Sequence, residues 1–282
     1  MSHSERMITR IMGTIWGNKT LLAGLIILAA LVFTAVFAPW ITPYDPYEQN
    51  LHNVLKTMSW SHPLGTDEFG RDILSRIFHG TRITLFIVCV SVLLGGILGC
   101  FLGIIAGYVG KYADNIIMRL MDIPLAFPGM LLALAIVEIV GKGIVGVIIA
   151  TSVFSVPQFA RLVRALILSA RESMYIQAAR ALGESSFDIV LRYILPNIWP
   201  PILVLASIRG AIVILVACAL SFLGLGVQPP TTEWGAMIAA GKIYLVRAPH
   251  LTLFPGLVIS LTVFSFNLIG DALRDIMDVK LN

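Results

Sequence analysis

Few residues in this chain have the types and spacing that chemistry needs. Its five histidines, His3, His52, His62, His79 and His250, all fall outside the long apolar blocks. No H-E-x-x-H pattern sets two imidazoles on one helix face for zinc, and no G-x-S-x-G presents a strained serine. Cys89, Cys100 and Cys218 are scattered through apolar blocks, which suits small packing residues better than a disulfide framework or a metal set. A phosphate cradle needs G-x-x-x-x-G-K-[ST], so that backbone amides and a lysine converge on one anion. The nearest fragment is "WGNKT" at 16–20, where Lys19 does not directly follow a glycine. No metal site and no ATP-hydrolysing site are therefore expected in this chain.

The charged residues inside apolar stretches come next. Arg119 and Asp122 are three apart, a spacing that pairs them on one helix face, and Asp271 and Arg274 repeat it. Both pairs read as structural. Arg209 stands alone within a long apolar block. Either it lines a path through the membrane, or it bonds backbone carbonyls or an acid on a partner chain. A secondary carrier would use such a mid-membrane charge, but it also needs an acidic relay, and none is evident.

These residues must be positioned by membrane-spanning helices. Hydrophobic residues make up 57% of the chain and charged ones 13%, against about a quarter in globular proteins; mean hydropathy is +0.89. The apolar residues fall in six blocks, several reaching the ~20 residues that cross a hydrocarbon core as helix. They are Leu21–Pro43, Ile83–Gly107, Asn115–Val140, Gly143–Ala160, Ile198–Gly226 and Leu251–Gly270. A β-barrel would show short alternating segments instead. The expected fold is all-α, with six transmembrane helices. Pro124 and Pro128 in "DIPLAFPG" should break or kink the third span, shaping either a gate or the packing. Placing the N-terminus in the cytoplasm puts 12 basic residues inside and 7 outside, with Arg209 in a span. That orientation obeys the positive-inside rule and puts both termini in the cytoplasm. A mild excess of 20 basic over 16 acidic residues suits membrane topology rather than nucleic-acid binding.

Three regions follow. Residues 1–20 place Ile8, Ile11, Met12, Ile15 and Trp16 on one helical stripe, which suits a helix in the cytoplasmic interface. Residues 21–82 hold a retained first span and a long external segment. The segment begins irregularly at "TPYDPY" and ends in a surface helix, with Ile73, Leu74, Ile77 and Phe78 as its stripe, before turning into the second span. Residues 83–282 form a five-span core. In its outer loop Thr232 is the expected N-cap of a short helix running to Gly241, with Trp234 exposed at its start.

A polar interruption at 171–196 separates two spans. In "QAARALGESSFDIVLRYILPN" the alanines Ala178, Ala179 and Ala181 favour helix, and Gly183 stands at a left-handed C′ position. Ser185 and Asp188 form a capping box for a second helix, in which Phe187, Val190, Leu191, Ile194 and Leu195 share one apolar face. Pro196 ends that helix or starts the next span.

This loop resembles the "EAA" loop of the membrane subunits of bacterial ABC importers, with Gln177-Ala178-Ala179, Gly183 and Tyr193-Ile194-Leu195-Pro196 at matching spacing. Gln177 replaces the usual acid and Tyr193 the usual isoleucine. "HPLGTDEFGRDILSRIFHGTR", "DNIIMRLMDIPLAFPG", "SFLGLGVQPPTTEWGAMI" and "FNLIGDALRDIMDVKL" extend the likeness to the second permease of the dipeptide, oligopeptide and nickel importer family. The resemblance implies a type I ABC importer permease fold in a bacterial inner membrane. It implies a homologous permease partner, two ATPase subunits that use ATP and Mg, and an extracytoplasmic solute-binding protein. The loop would be the coupling helix, with Gln177, Ala178, Ala179, Arg180, Gly183, Glu184 and Pro196 at the ATPase groove. Arg209 and Pro128 are candidates for the path or gate, where Arg209 would meet a peptide carboxylate, and Trp234 is a candidate contact for the binding protein. Short peptides, glutathione included, are the expected substrates, with nickel or a metal chelate as the alternative.

Overall fold

A computed structural model describes residues 18–278. The stripe from Ile8 to Trp16 lies outside the described residues. Helix α1, Lys19–Ile41, is capped by Asn18, whose Oδ1 accepts the amides of Thr20 and Leu21 at 3.0 and 3.1 Å. Residues 42–72 then fold as an irregular cap with a single 3-10 turn, Leu51–Asn53. Helix α2, Ile73–Val109, runs 37 residues without a break. The expected turn between a surface helix and the second span is therefore absent. Gly80, within this unbroken stretch, is small for a packing reason: a Cβ there would lie 3.1 Å from the Trp234 ring.

Helices α3, Lys111–Leu125, and α4, Gly129–Val140, meet at a bend of 92°. Pro124 lies in the last turn of α3 and Pro128 caps α4, so the expected break falls at "DIPLAFPG". Helix α5, Ile144–Arg171, continues past Arg161 and is followed by the short α6, Met174–Ala181. A single turn, α7, Ser186–Asp188, leads into a π-helical stretch, Ile189–Ile194, and then α8, Leu195–Phe222. Helix α9, Trp234–Gly241, and the long α10, His250–Asp278, complete the described chain. Five helices are long and apolar enough to cross a membrane, and the bent α3–α4 pair makes a sixth crossing.

The spine is the parallel packing of α2 on α5. Gly95, Gly99, Gly103 and Gly107 recur every fourth residue along α2, and a Cβ at Gly99 would lie 2.6 Å from both Phe159 Cβ and the Val156 carbonyl oxygen. Small residues at this period let two backbones close up in lipid, where dispersion contacts replace the hydrophobic effect. Thr151 Oγ1 of α5 donates to Ser91 Oγ of α2 at 2.7 Å across the same seam. Helix α10 packs on α8 and α1, with Gly24 of α1 against Ile269. Both ends of the described chain thus lie at one face, with the 171–196 loop. The 42–72 cap and α9 lie at the other.

Candidate functional site

The loop face carries the feature that packing alone does not explain. Helix α5 ends at Arg171, whose Nη1 donates to the carbonyls of Gly107 and Tyr108 at 2.9 and 3.1 Å. These belong to the last turn of α2, whose carbonyls have no intrahelical partner. The guanidinium carbons of Arg171 and Arg180 lie 5.8 and 5.7 Å from the Tyr108 ring centroid, so one aromatic ring anchors both ends of α6 to α2. Nearby, Arg164 grips Asp114 of α3 with two nitrogens, one at 2.6 Å. Arg161 pairs with Asp122 at 2.5 Å. The expected Arg119–Asp122 pair is thus replaced by a link between α3 and α5.

Helix α6 turns Ile176 and Ala179 inward, against Ile167, Ile189 and Ile194. Burial of each isoleucine is worth roughly 2 kcal/mol, which fixes the helix on its base. Gln177, Ala178 and Arg180 point outward. Gln177 Nε2 donates to the Glu172 carbonyl at 3.1 Å, so its amide is held within the loop. Gly183 has φ +83°, its amide donates to the Arg180 carbonyl, and the Glu184 amide donates to the Ala179 carbonyl. This is the Schellman arrangement at the position the sequence marks. Ser185 Oγ accepts the Asp188 amide at 3.1 Å and donates to Asp188 Oδ2 at 2.5 Å, completing the expected cap.

The second helix departs from expectation. It runs into α8 without a break, and of the two readings of Pro196 the start of the next span holds, since it lies in the first turn of α8. The π-helical stretch adds a residue to its turn and shifts the inward face to Ile189, Ile194 and Ile198. Phe187 and Leu191, expected on the buried face, are exposed. With Met174 (89% exposed) and Leu182 (85%), Phe187 (74%) leaves large apolar side chains in the open around α6. Exposed apolar side chains of this size are the material from which docking surfaces are built.

The remaining candidates lie apart from this loop. Arg209 sits about 20 Å along α8 from Leu195 and is buried; its Nη2 donates to the Phe154 carbonyl at 3.2 Å and lies 3.4 Å from Ser155 Oγ. Its guanidinium also covers the Phe154 ring at 4.7 Å. Of the two readings, carbonyl bonding is the one this geometry displays. Pro128 is exposed at the α3–α4 bend. Trp234 corrects the expectation of an exposed anchor: it is completely buried, and its Nε1 donates to the Ile77 carbonyl at 3.2 Å. The N-cap of α9 is Glu233 rather than Thr232; its two carboxylate oxygens accept the amides of Gly235 and Ala236, both at 2.9 Å. Burial pushes the Glu233 carboxyl above the usual carboxylate range. Among the described residues no three metal-ligating side chains converge.

Five long apolar helices, a sharply bent α3–α4 pair and a protruding helical loop define a polytopic α-helical membrane protein. Residues 99–282 match the family described as binding-protein-dependent transport system inner membrane component, and residues 14–57 match the N-terminal TM domain of oligopeptide transport permease C. The chain belongs to this family of inner-membrane permeases. It is 45% identical over 270 residues to the di/tripeptide transport system permease protein DppC of Pseudomonas aeruginosa, covering 94% of this chain and 89% of that one. It is 47% identical over 260 residues to the glutathione transport system permease protein GsiD of Pectobacterium atrosepticum, covering 92% and 86%. The fold resembles the MetNI methionine ABC transporter solved in inward-facing conformations, with TM-score 0.59 and 19% identity over 73% of this chain and 97% of that one. The protein is a multi-pass inner-membrane permease subunit of an ABC importer, a component that works with ATPase and binding-protein partners and is not itself of a catalytic family.

Proposed function

We propose that this chain forms one half of the translocation path for short peptides, glutathione among them, with a homologous permease as the other half. The observation that supports the substrate class is the near-equal likeness to di/tripeptide and glutathione permeases over nine-tenths of the chain. Both termini and the 171–196 loop face the cytoplasm in this reading, and the 42–72 cap faces outward, as the basic-residue bias favours.

The loop is the coupling element. Of the two ATPase subunits, which hold ATP and Mg, one receives the exposed face of α6 through Met174, Gln177, Ala178, Leu182 and Phe187. The apolar members supply binding and the small Ala178 permits close approach. Because Arg171, Arg180 and Tyr108 fasten α6 to α2 and α5, and the π-helical stretch joins it to α8, a push on α6 moves several spans together. Pro128 and the α3–α4 bend supply the gate that this motion opens. Arg209 acts as a tie between α8 and α5.

The test is co-purification and uptake in the complete transporter. Paired Leu182→Asp and Phe187→Asp changes should leave the permease in the membrane, lower recovery of the ATPase subunits and abolish uptake of a labelled dipeptide. Full ATPase recovery would rule out this face as the coupling surface.

A further inference from the structure

The external partner's contact, assigned from sequence to Trp234, needs another residue, because that ring is buried. Across the cap face the most exposed large side chain is Trp60, which is open on all sides, with Met58 beside it in sequence. We infer that Trp60 and Met58 seat the solute-binding protein, together with the polar cavity that Ser61 and His62, next in sequence, help to line. The inference rests on the outward orientation of the cap proposed above.

A surface tryptophan on a membrane protein has an alternative home in the lipid interface, and the attachment of the cap favours the aqueous side. In α1 and α2, Leu28 and Val32 line the same cavity as Val92 and Val88. Continuing that antiparallel register places Trp40, near the end of α1, level with about Gly80. Trp40 is exposed, with Phe33 and Phe37 stacked below it in sequence, as befits an interfacial belt. Ile73 lies seven residues beyond Gly80, about 10 Å further from the membrane by helical rise. The cap is fastened at that height. The Gly65 carbonyl accepts the Ile73 amide at 3.1 Å, the Tyr44 amide donates to Ser75 Oγ at 3.3 Å, and Arg76 Nη1 donates to the Pro46 carbonyl at 3.2 Å. The cap that carries Trp60 is therefore fastened to α2 beyond the level of the Trp40 belt.

The cap is also cross-linked by buried ion pairs, and a pre-ordered docking surface is spared the entropy of ordering on contact. Asp67 Oδ2 takes Arg71 Nε at 2.6 Å and faces Arg76 Nε at 3.3 Å, all three residues being buried. A cavity of about 280 Å³ that includes Ser61, the residue after Trp60, is lined also by Tyr44, Glu48, Asn50, Asn53, His62 and Asp72. His62 Nδ1 lies 3.0 Å from Asp72 Oδ1 and its ring stacks on Tyr44 at 4.7 Å. Glu48 is exposed at this cavity, and Lys56, held on Asn53 Oδ1 at 2.7 Å, is the nearby cation. With Asp72 the carboxylates outnumber that cation. The cavity suits a lysine or arginine side chain of the partner, set beside an apolar recess that receives Trp60. A large aromatic next to a charged, partly desolvated pocket is the composition of an interface hot spot.

The experiment uses the complete transporter in lipid nanodiscs and its cognate solute-binding protein loaded with a dipeptide. Trp60→Ala should weaken binding of that protein about tenfold or more and lower its stimulation of ATP hydrolysis in parallel, with four-subunit assembly at the wild-type level. Glu48→Lys should weaken binding as well, and Trp60→Phe should restore most of it. Wild-type affinity in both Trp60→Ala and Glu48→Lys overturns the inference. So does quenching of Trp60 fluorescence, measured against Trp60→Phe, by phosphatidylglycerol and phosphatidylethanolamine with brominated chains, since that places the ring in lipid. If the wild-type transporter itself shows no stimulation by the binding protein, the reading of the chain as an outward-capped peptide permease fails, an outcome distinct from either of these.

Discussion

The guanidinium of Arg180 lies 5.7 Å from the centre of the Tyr108 ring, and this contact ties the exposed helix α6 to the end of the longest span. Arg171 reaches the same ring from the other end of the loop. Each such contact is worth about 0.5–1 kcal/mol at a partly exposed site. Tyr108→Ala should thus cost little in overall stability but let α6 move independently of α2. The expected phenotype is uncoupling: ATPase subunits still co-purify and hydrolyse ATP, while uptake falls several-fold. Tyr108→Phe keeps the ring face and should transport normally. Equal uptake in Tyr108→Ala and wild type would show that the clamp carries no force.

Glu233 is completely buried and caps α9 with both carboxylate oxygens. Removing a cap costs about 1 kcal/mol, and unsatisfied buried amides add to that. Glu233→Ala should lower the thermal midpoint in detergent by several degrees, whereas Glu233→Gln, which retains an acceptor, should lose less. Burial raises this carboxyl's pKa from its ordinary value of 4.5. Below 4.5 the acid is protonated in both folded and unfolded chains, so its contribution is fully present there. As pH rises through the raised folded value that contribution is lost. Glu233→Gln should therefore gain on wild type as the pH is raised, and a difference that is flat with pH would contradict the burial argument.

At Gly99 even a methyl group meets backbone: a Cβ added there would lie 2.6 Å from both the Val156 carbonyl oxygen and Phe159 Cβ. Neither atom can swing away as a flexible side-chain end would. Overpacking typically costs about 1–3 kcal/mol, and here it separates the two helices that form the spine. Gly99→Leu should fail to accumulate as folded protein, and Gly99→Ala should show a clear drop in thermal midpoint. Gly96, one position off the stripe, meets only the Phe159 ring at 3.7 Å. Gly96→Ala should be nearly neutral and serves as the control.

Much of this architecture is legible in the residues because the bilayer imposes a simple code. Long apolar blocks mark the spans, Pro124 and Pro128 mark the bend, and Gly183 with Ser185 marks the two caps of the loop. The features that escape the sequence share a cause: they concern what packs on what. "PPTTEWGAM" reads as an exposed turn because nothing local reveals that Trp234 is tucked beneath Gly80, or that Gly235 is pressed on the Cys218 backbone, where a Cβ would lie 2.6 Å away. The π-helical stretch is likewise invisible to a 3.6-residue period, which puts Phe187 and Leu191 on the wrong face. Asp122 finds Arg161, a residue distant in the chain, in place of its neighbour Arg119. The glycine period of α2 is the long-range signal that the sequence does carry.

Sidedness has a direct chemical test. Met58 and Leu182 are both well exposed, at the cap and loop faces respectively. Introduced one at a time, Met58→Cys should react with a membrane-impermeant thiol reagent added to intact spheroplasts, and Leu182→Cys only after the membrane is opened. The native Cys89, Cys100 and Cys218 all lie within spans and are replaced by alanine or serine in both backgrounds first. The reverse pattern would invert the topology and the roles given to both faces.

The last prediction concerns Gly183, which closes α6 with φ +83°. Nothing lies within 4 Å of a Cβ placed there, so substitution meets no clash and its cost is backbone strain alone. For alanine that strain is roughly 1 kcal/mol, and for a β-branched residue it is at least ~1–2 kcal/mol. Such amounts are too small to keep six spans out of the membrane, so Gly183→Val should insert and accumulate normally. The turn nevertheless sets the angle between α6 and the helix that begins at Ser186. Relief of the strain would unwind the turn, shifting Leu182 on one side of it against Phe187 on the other. Those two side chains belong to one docking face, and a partner shaped to both would lose part of its contact. Gly183→Val should therefore bind the ATPase subunits weakly and transport poorly, Gly183→Ala should be intermediate, and Arg209→Ala, far along α8, should leave ATPase binding intact. Pull-down of the ATPase subunits alongside uptake in proteoliposomes reads both effects. Wild-type binding and uptake in Gly183→Val would show that the angle at this turn does not matter to coupling.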